Sequence, residues 1–227
     1  MNIARFHIEY QLTVDKRDSS AVPELEAEVI DYFLNEAQER YIKSRYESLN
    51  VYKAGFEAIQ KRTDDLRSIV KTEDINTAVV AGETNTFKAV LSGTTSPYMF
   101  YIRGRANMVK TGCANKTQGV NLVRHDSLDR ILLDPFNKPN YGNVVAYFED
   151  SDFFVITDGT FTVPSVKITF LKRPNLMNVG SYGGAVVDCE LPEHTHKEIV
   201  QYAADITFEN IESKRLETVK RQLLNIE

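Results

Sequence analysis

Tryptophan is absent from the chain, and cysteine occurs only twice. No apolar run approaches the ~18 residues that a membrane-spanning helix needs. Each absence excludes something. Without tryptophan, the ring most suited to stacking on sugars is missing. Cys113 and Cys189 are too few and too far apart for a disulfide framework, and read as free thiols of a reducing compartment. Basic charge is scarce as well. The 27 Lys and Arg against 32 Asp and Glu leave a net charge of −5, unlike a protein whose affinity comes from the phosphate backbone. Met1-Asn2-Ile3-Ala4-Arg5-Phe6-His7 has no basic flank before an apolar stretch, so no secretory signal is expected. What remains is 227 residues, 42% of them hydrophobic, enough to bury a core in one large domain or two small ones.

Proline and glycine divide the chain. From Glu24 to Ser96 there is no proline, and glycine only at Gly55, Gly82 and Gly93. Six of the seven prolines and eight of the glycines fall between Pro97 and Pro192, and none of either follows. Helix-friendly ends therefore flank a breaker-rich middle. At the front, Leu25, Val29, Phe33, Ala37 and Tyr41, widened by Ile30, Leu34 and Ile42, predict a helix over 24–46. Pro23 and the acids Glu24, Glu26 and Glu28 suit its start. Glu36–Arg40 and Glu39–Lys43 have the spacing of helical ion pairs. Phe56, Ile59, Thr63, Leu66 and Val70 predict a second helix over 56–71, joined to the first as an antiparallel hairpin. At the other end, Thr195-His196-Lys197-Glu198 fits a capping box, followed by a helix over 195–224.

In the middle, residues 86–91, 98–103, 144–148, 153–157 and 163–171 are rich in β-branched and aromatic residues and predict strands. Asn140-Tyr141-Gly142-Asn143 reads as a turn, and Asp158-Gly159 as the turn of a hairpin. The fold class is therefore α+β. A helical bundle of N- and C-terminal helices (1–80 and 192–227) would carry an inserted β-rich, sheet- or sandwich-like domain (81–191). Residues 5–14 stay ambiguous. Phe6, Ile8, Tyr10, Leu12 and Val14 alternate as in a strand, yet nothing rules out a short helix.

The search for chemistry is short. Cys189, Glu193, His194 and His196 crowd into eight residues and could suggest zinc, but no second ligand pair completes the set. A polar cluster at a helix entrance accounts for them better. Cys113, His125 and Asp126 or Asp129 could in principle form a nucleophilic group, but no serine or cysteine sits in a nucleophile elbow. Cys113 reads instead as a small thiol buried in the sheet. Asp64 and Asp65 diverge on a helix and, with Lys61, Arg62 and Arg67, suggest a solvated or interfacial face. Arg103-Gly104-Arg105 is too small for a nucleic-acid surface, and Asn115-Lys116-Thr117 is a chance glycosylation match. No phosphate loop, dinucleotide fingerprint or HExxH motif appears. No catalytic, metal or cofactor residues are expected, and the chain reads as a protein of binding or assembly.

Four stretches together are similar to the ring, or head–tail connector, proteins of crAss-like tailed phages. They are Ile30-Asp31-Tyr32-Phe33-Leu34-Asn35-Glu36-Ala37-Gln38-Glu39-Arg40-Tyr41-Ile42-Lys43; Phe56-Glu57 with Lys61-Arg62-Thr63-Asp64-Asp65-Leu66-Arg67; Leu132-Leu133-Asp134-Pro135-Phe136-Asn137-Lys138-Pro139; and Leu191-Pro192-Glu193-His194-Thr195-His196-Lys197-Glu198-Ile199-Val200, leading to Glu209-Asn210-Ile211-Glu212-Ser213. The resemblance implies a structural, non-enzymatic virion protein at the portal vertex. It also implies a twelvefold homo-oligomeric ring with the portal and other ring or tail proteins as partners. DNA would pass through the lumen without sequence-specific binding, and no membrane is involved. In that family residues 5–14 read more like a helix. The charge-rich helices 24–45 and 57–71 could set register between neighbours, and an acidic chain avoids a sticky conduit. The rival reading is a β-rich virion decoration or carbohydrate-binding module.

Overall fold

The computed structural model describes residues 1–18, 25–46, 59–180 and 184–210. Among them the chain is α+β, as expected. Its helices are α1 (Ile3–Asp18), α2 (Ala27–Tyr46), α3 (Gln60–Leu66), α4 (His125–Leu133) and α5 (His196–Asn210). Its strands are β1 (Val70–Val80), β2 (Glu83–Val90), β3 (Tyr98–Val109), β4 (Lys116–Leu122), β5 (Val144–Glu149), β6 (Asp152–Ile156) and β7 (Thr162–Lys172). They divide into two compact units, Met1–Ile69 with Pro174–Glu227, and Val70–Arg173. The boundaries read from the sequence, 80/81 and 191/192, lie further along the chain. Residues 70–80 form a strand, and the breaker-rich stretch from Pro174 is tied to α2. Asn35 Oδ1 accepts from Met177 N (2.7 Å), Asn35 Nδ2 donates to Met177 O (2.9 Å), and Asp31 Oδ2 accepts from Val179 N (3.1 Å).

The open question of residues 5–14 resolves as helix. Ile3, Phe6, Tyr10 and Val14 are buried at helical spacing, whereas Ile8 and Leu12 face out. The strand-like alternation is thus two helical stripes superposed. The first backbone N–H of α1, on Ile3, donates to Asp188 Oδ1 at 2.7 Å, satisfying one donor that a helix start leaves open.

In α2, Ile30, Phe33, Leu34, Ala37, Tyr41 and Ile42 are buried and Val29 lies at the edge. Pro23 and Glu24 fall outside the described residues. Both α1 and α2 pack against α5, which buries Ile199, Val200, Ala203, Ile206 and Phe208. Arg40 pairs with Glu209 at 3.3 Å rather than with Glu36, while Glu39–Lys43 forms as spaced, at 2.7 Å. The helix expected over 56–71 is shorter. After Leu66 comes a single 3₁₀ turn, Arg67–Ile69, and then strand β1, where β-branched Ile69 and Val70 favour extension. Residues 56–58, and 211–224 of the expected last helix, lie outside the described residues. Thr195 does not cap. Its hydroxyl donates to Pro192 O (2.8 Å) within a 3₁₀ turn, Glu193–Thr195, and Glu198 is drawn into ion pairs instead.

Leu66 and Ile206 are both buried in this unit. Truncating either to alanine is expected to cost about 2–5 kcal/mol, read from the shift of a urea-unfolding midpoint. Unchanged midpoints would show that neither side chain supports the helices.

The middle unit is neither an open sheet nor a sandwich. Its strands close into a barrel in the order β1-β2-β6-β5-β4-β3-β7, with β7 returning to β1. Neighbours are antiparallel except β4 and β5, which run parallel and are joined through α4. Seven strands leave an interior that side chains can fill. Phe87, Met108, Phe153, Val155, Val166, Ile168 and Phe170 fill it. Gly104 is needed there, because a Cβ would stand 3.0 Å from Tyr101 Oη and 3.4 Å from Phe153. The missing side chain makes room for Tyr101 to stack on Phe153 at 5.8 Å. Asp158-Gly159 is not a hairpin turn. β6 pairs with β2 and β5, and β7 with β1 and β3, so this turn crosses between non-adjacent strands. The turn at 140–143 does form, with Asn140 and Asn143 exchanging backbone hydrogen bonds at 2.9 and 3.0 Å.

Candidate functional site

The densest polar chemistry in the helical unit centres on Asp65. Tyr41 and Arg45, one turn apart on α2, both reach this carboxylate of α3. The Tyr41 hydroxyl donates to Asp65 Oδ2 at 3.1 Å, and Arg45 Nε pairs with the same oxygen at 3.3 Å. His194 Nε2 lies 2.8 Å from Asp65 Oδ1. Arg45 also grips Glu198 of α5, which faces Lys61 at 3.7 Å. The guanidinium stands 4.9 Å from the Tyr41 ring centroid. Burial pushes the Tyr41 phenol well above its ordinary value. For Arg45, burial opposes the charge, but Tyr41, Glu198 and Asp65 more than offset it and hold the guanidinium protonated.

Asp65 is 0% exposed, so no substrate reaches it. The network joins α2, α3 and α5, and its chemistry is that of a clamp. The solvated or interfacial face expected for this stretch is kept by Lys61 and Arg67, which are exposed, and corrected for Asp65 and Arg62. Asp65 and Arg62 are buried, and Asp64 turns away to accept from Gln60 at 3.4 Å. Nothing in the alternation of charge marks Asp65 as internal. The one available signal is Leu66 beside it on the apolar stripe.

The residues considered for zinc go separate ways. His194 is held by Asp65, and His196 is buried with Nε2–H donating to Leu191 O at 2.8 Å. Burial raises the Cys189 thiol to about 11, so it stays protonated at neutral pH and is no thiolate ligand. Among the described residues no group of three or more His, Cys, Asp or Glu could hold a metal ion. Burial lowers the pKa of His196. The folded state therefore resists taking up a proton that the unfolded chain accepts. Stability is full above the ordinary histidine value of about 6.5 and falls as pH drops below it toward the depressed folded value. Unfolding midpoints measured across that window are expected to decline, and less steeply in His196→Phe. An equal slope in both proteins would assign the decline to other groups.

Cys113 is not buried in the sheet. It is exposed in the turn after β3, its N–H donating to Lys110 O at 3.0 Å. His125 is engaged elsewhere, with Nε2 donating to Phe148 O and its ring edge-on to Tyr147 at 5.2 Å. Asp126 and Asp129 lie exposed on α4. Arg103 and Arg105 project from the outer face of the barrel, where the register sets Lys167 beside Arg105 and Asp74 beyond it. That adds one cation to the pair legible in the sequence, and one acid.

The sequence reading missed α4 and the loop that follows it. Leu128, Ile131 and Leu132 are only half-buried, and Leu133 and Phe136 stand in solvent. The three-four spacing of those residues was the available signal. Among the described residues, Leu133 and Phe136 are the most exposed of the large hydrophobic side chains.

The profile of the phage tail ring protein 3/4 family matches residues 1–221. The chain belongs to this family. It is a crAss-like phage ring protein, a structural component of the virion rather than a member of an enzyme family. No curated protein matches the sequence. Among the described residues of this ring protein, no helix is long and apolar enough to cross a membrane.

Proposed function

We propose that the chain is a head–tail connector ring lying below the portal, joining capsid to tail and lining the path of the DNA. Twelve copies close the ring, with the portal and other ring or tail proteins as its axial neighbours. The observation that carries this reading is the match to a tail ring family over residues 1–221, nearly the whole chain. In this reading the helices α1, α2 and α5 and the barrel would each offer surface to neighbouring subunits, and a heterologous ring uses two different faces of each copy. The net charge of −5 suits a conduit through which DNA slides without being held.

Reconstruction of the portal vertex of the phage particle tests it. Twelve copies in a ring adjoining the portal are expected, and particles made without this protein should lose DNA or fail to acquire tails. Density for the chain on the outer capsid surface, or normal infectivity without it, would overturn the reading in favour of a decoration module.

A further inference from the structure

The barrel carries opposite charge on opposite sides. Strands β3 and β7 are neighbours in its closed order, and β6 lies three strands from either of them, round one side or the other. The outer surfaces of β6 and of the β3–β7 pair therefore face in opposite directions. On the β3–β7 side Arg105 stands directly across from Lys167, with Arg103 two residues along. All three are exposed, and Asp74 of β1 is the acid in register with them. The neutral groups around them satisfy one another. Asn107 Nδ2 donates to Ser165 Oγ at 2.7 Å, the Thr117 hydroxyl donates to Asn107 Oδ1 at 2.8 Å, and Thr72 and Thr169 share a hydrogen bond at 3.0 Å. Like charges directly across an antiparallel pair destabilise it. The barrel gains nothing from Arg105 opposite Lys167, whereas an acidic surface docked on them gains from both.

The far side is acidic. Glu149 and Asp152 pair in register where β5 turns into β6, across a two-residue loop in which Asp150 takes φ 55°. That left-handed conformation is the one such hairpin turns use. Lys88 of β2 is the cation among these acids. Its ammonium lies 2.6 Å from Asp152, and that hydrogen bond, helped by the charges of Asp152, Asp150 and Glu149, holds it above its ordinary value. Burial, then the charges of Glu149 and Glu83, raises the Tyr147 phenol, which places Glu83 near the same patch. With Lys88 matched to Asp152, the exposed Glu149, Asp150 and Glu83 are in excess.

A ring of identical chains closes through two different faces of each copy. These two faces complement each other and repel their own kind, so they suit head-to-tail closure rather than a two-fold dimer. Complementarity of this sort selects the partner and fixes register. We infer that the Arg103–Arg105–Lys167 face of one barrel docks on the Glu83–Glu149–Asp150 face of the barrel in the next copy. The inference rests on the ring reading above and adds which surfaces meet.

Zero-length carbodiimide coupling of phage particles tests it, because the reagent joins an ammonium to a carboxylate only where the two touch. Lys167 and the acids Glu149 and Asp150 stand on opposite sides of one barrel, so a coupled peptide containing Lys167 and either acid comes from two copies. That peptide is expected. Charge reversal supplies a second arm. Arg105→Glu with Lys167→Glu alters exposed side chains, so the purified chain should melt as wild type. Phage carrying it should nevertheless yield roughly tenfold or more fewer infectious particles. Adding Glu83→Lys and Glu149→Lys to the same chain restores attraction at every contact and should recover the yield. Absence of the coupled peptide, an unchanged yield after the first reversal, or a loss that the second reversal fails to recover would each overturn the inference. The last is the result expected if the basic face grips the phosphates of DNA instead. A vertex reconstruction separates failure of the contact from failure of the ring. A ring whose barrels meet through other faces defeats this contact alone, whereas absence of the chain from the vertex defeats the ring.

Discussion

Replacing Asp65 with alanine is expected to destabilise the helical unit by about 3–5 kcal/mol, the cost of stranding one member of a buried ion pair. Asp65 accepts from Tyr41 and pairs with Arg45 and His194. Without it the buried Arg45 guanidinium loses a buried carboxylate and is left gripping Glu198, whose side chain is partly exposed. His194 is half-exposed and can turn to water, so most of the loss falls on Arg45. Far-UV circular dichroism in urea reads it out. Arg45→Met combined with Asp65→Leu should recover much of the loss, because replacing both charges removes the desolvation penalty along with the attraction. A double variant as unstable as Asp65→Ala would mean that the network stabilises through something other than charge pairing.

In the barrel the largest effect is expected from Phe153→Ala. The ring is fully buried, stacked on Tyr101 at 5.8 Å and edge-on to Phe148 at 5.0 Å. Its loss leaves a cavity that closed strands cannot collapse to fill, so about 3–5 kcal/mol is expected. Near-UV circular dichroism, which reports tyrosines such as Tyr101, should lose amplitude and melt at a lower temperature. A variant with an unshifted melt would mean that the barrel interior repacks freely, contrary to the close fit at Gly104.

How much of this was legible beforehand varies with the physics of each element. The α2 stripe and the strands around 144–148, 153–157 and 163–171 could be read because their burial follows a single period. β1 could not. Val70–Val80 is polar on most positions, and its place depends on pairing with β7, a partner about a hundred residues away in sequence. Closure of the barrel is likewise a property of long-range register, which no local pattern encodes. For α1 the difficulty was the reverse: two patterns coexisted, and only packing against α5 decided between them. Asp65 illustrates the limit at the level of sites. A charged residue among charged residues reads as surface until its partners arrive from other elements, here Arg45 and His194. The exposed Phe136 carries the opposite lesson, since composition alone would have placed it in a core.

The pairing of β1 with β7 has a further consequence. Val70 stands opposite Leu171, so the polypeptide enters and leaves the barrel through adjoining strand ends. Such a cassette can be lengthened, shortened or exchanged at its distal loops without altering the spacing of the two attachment points.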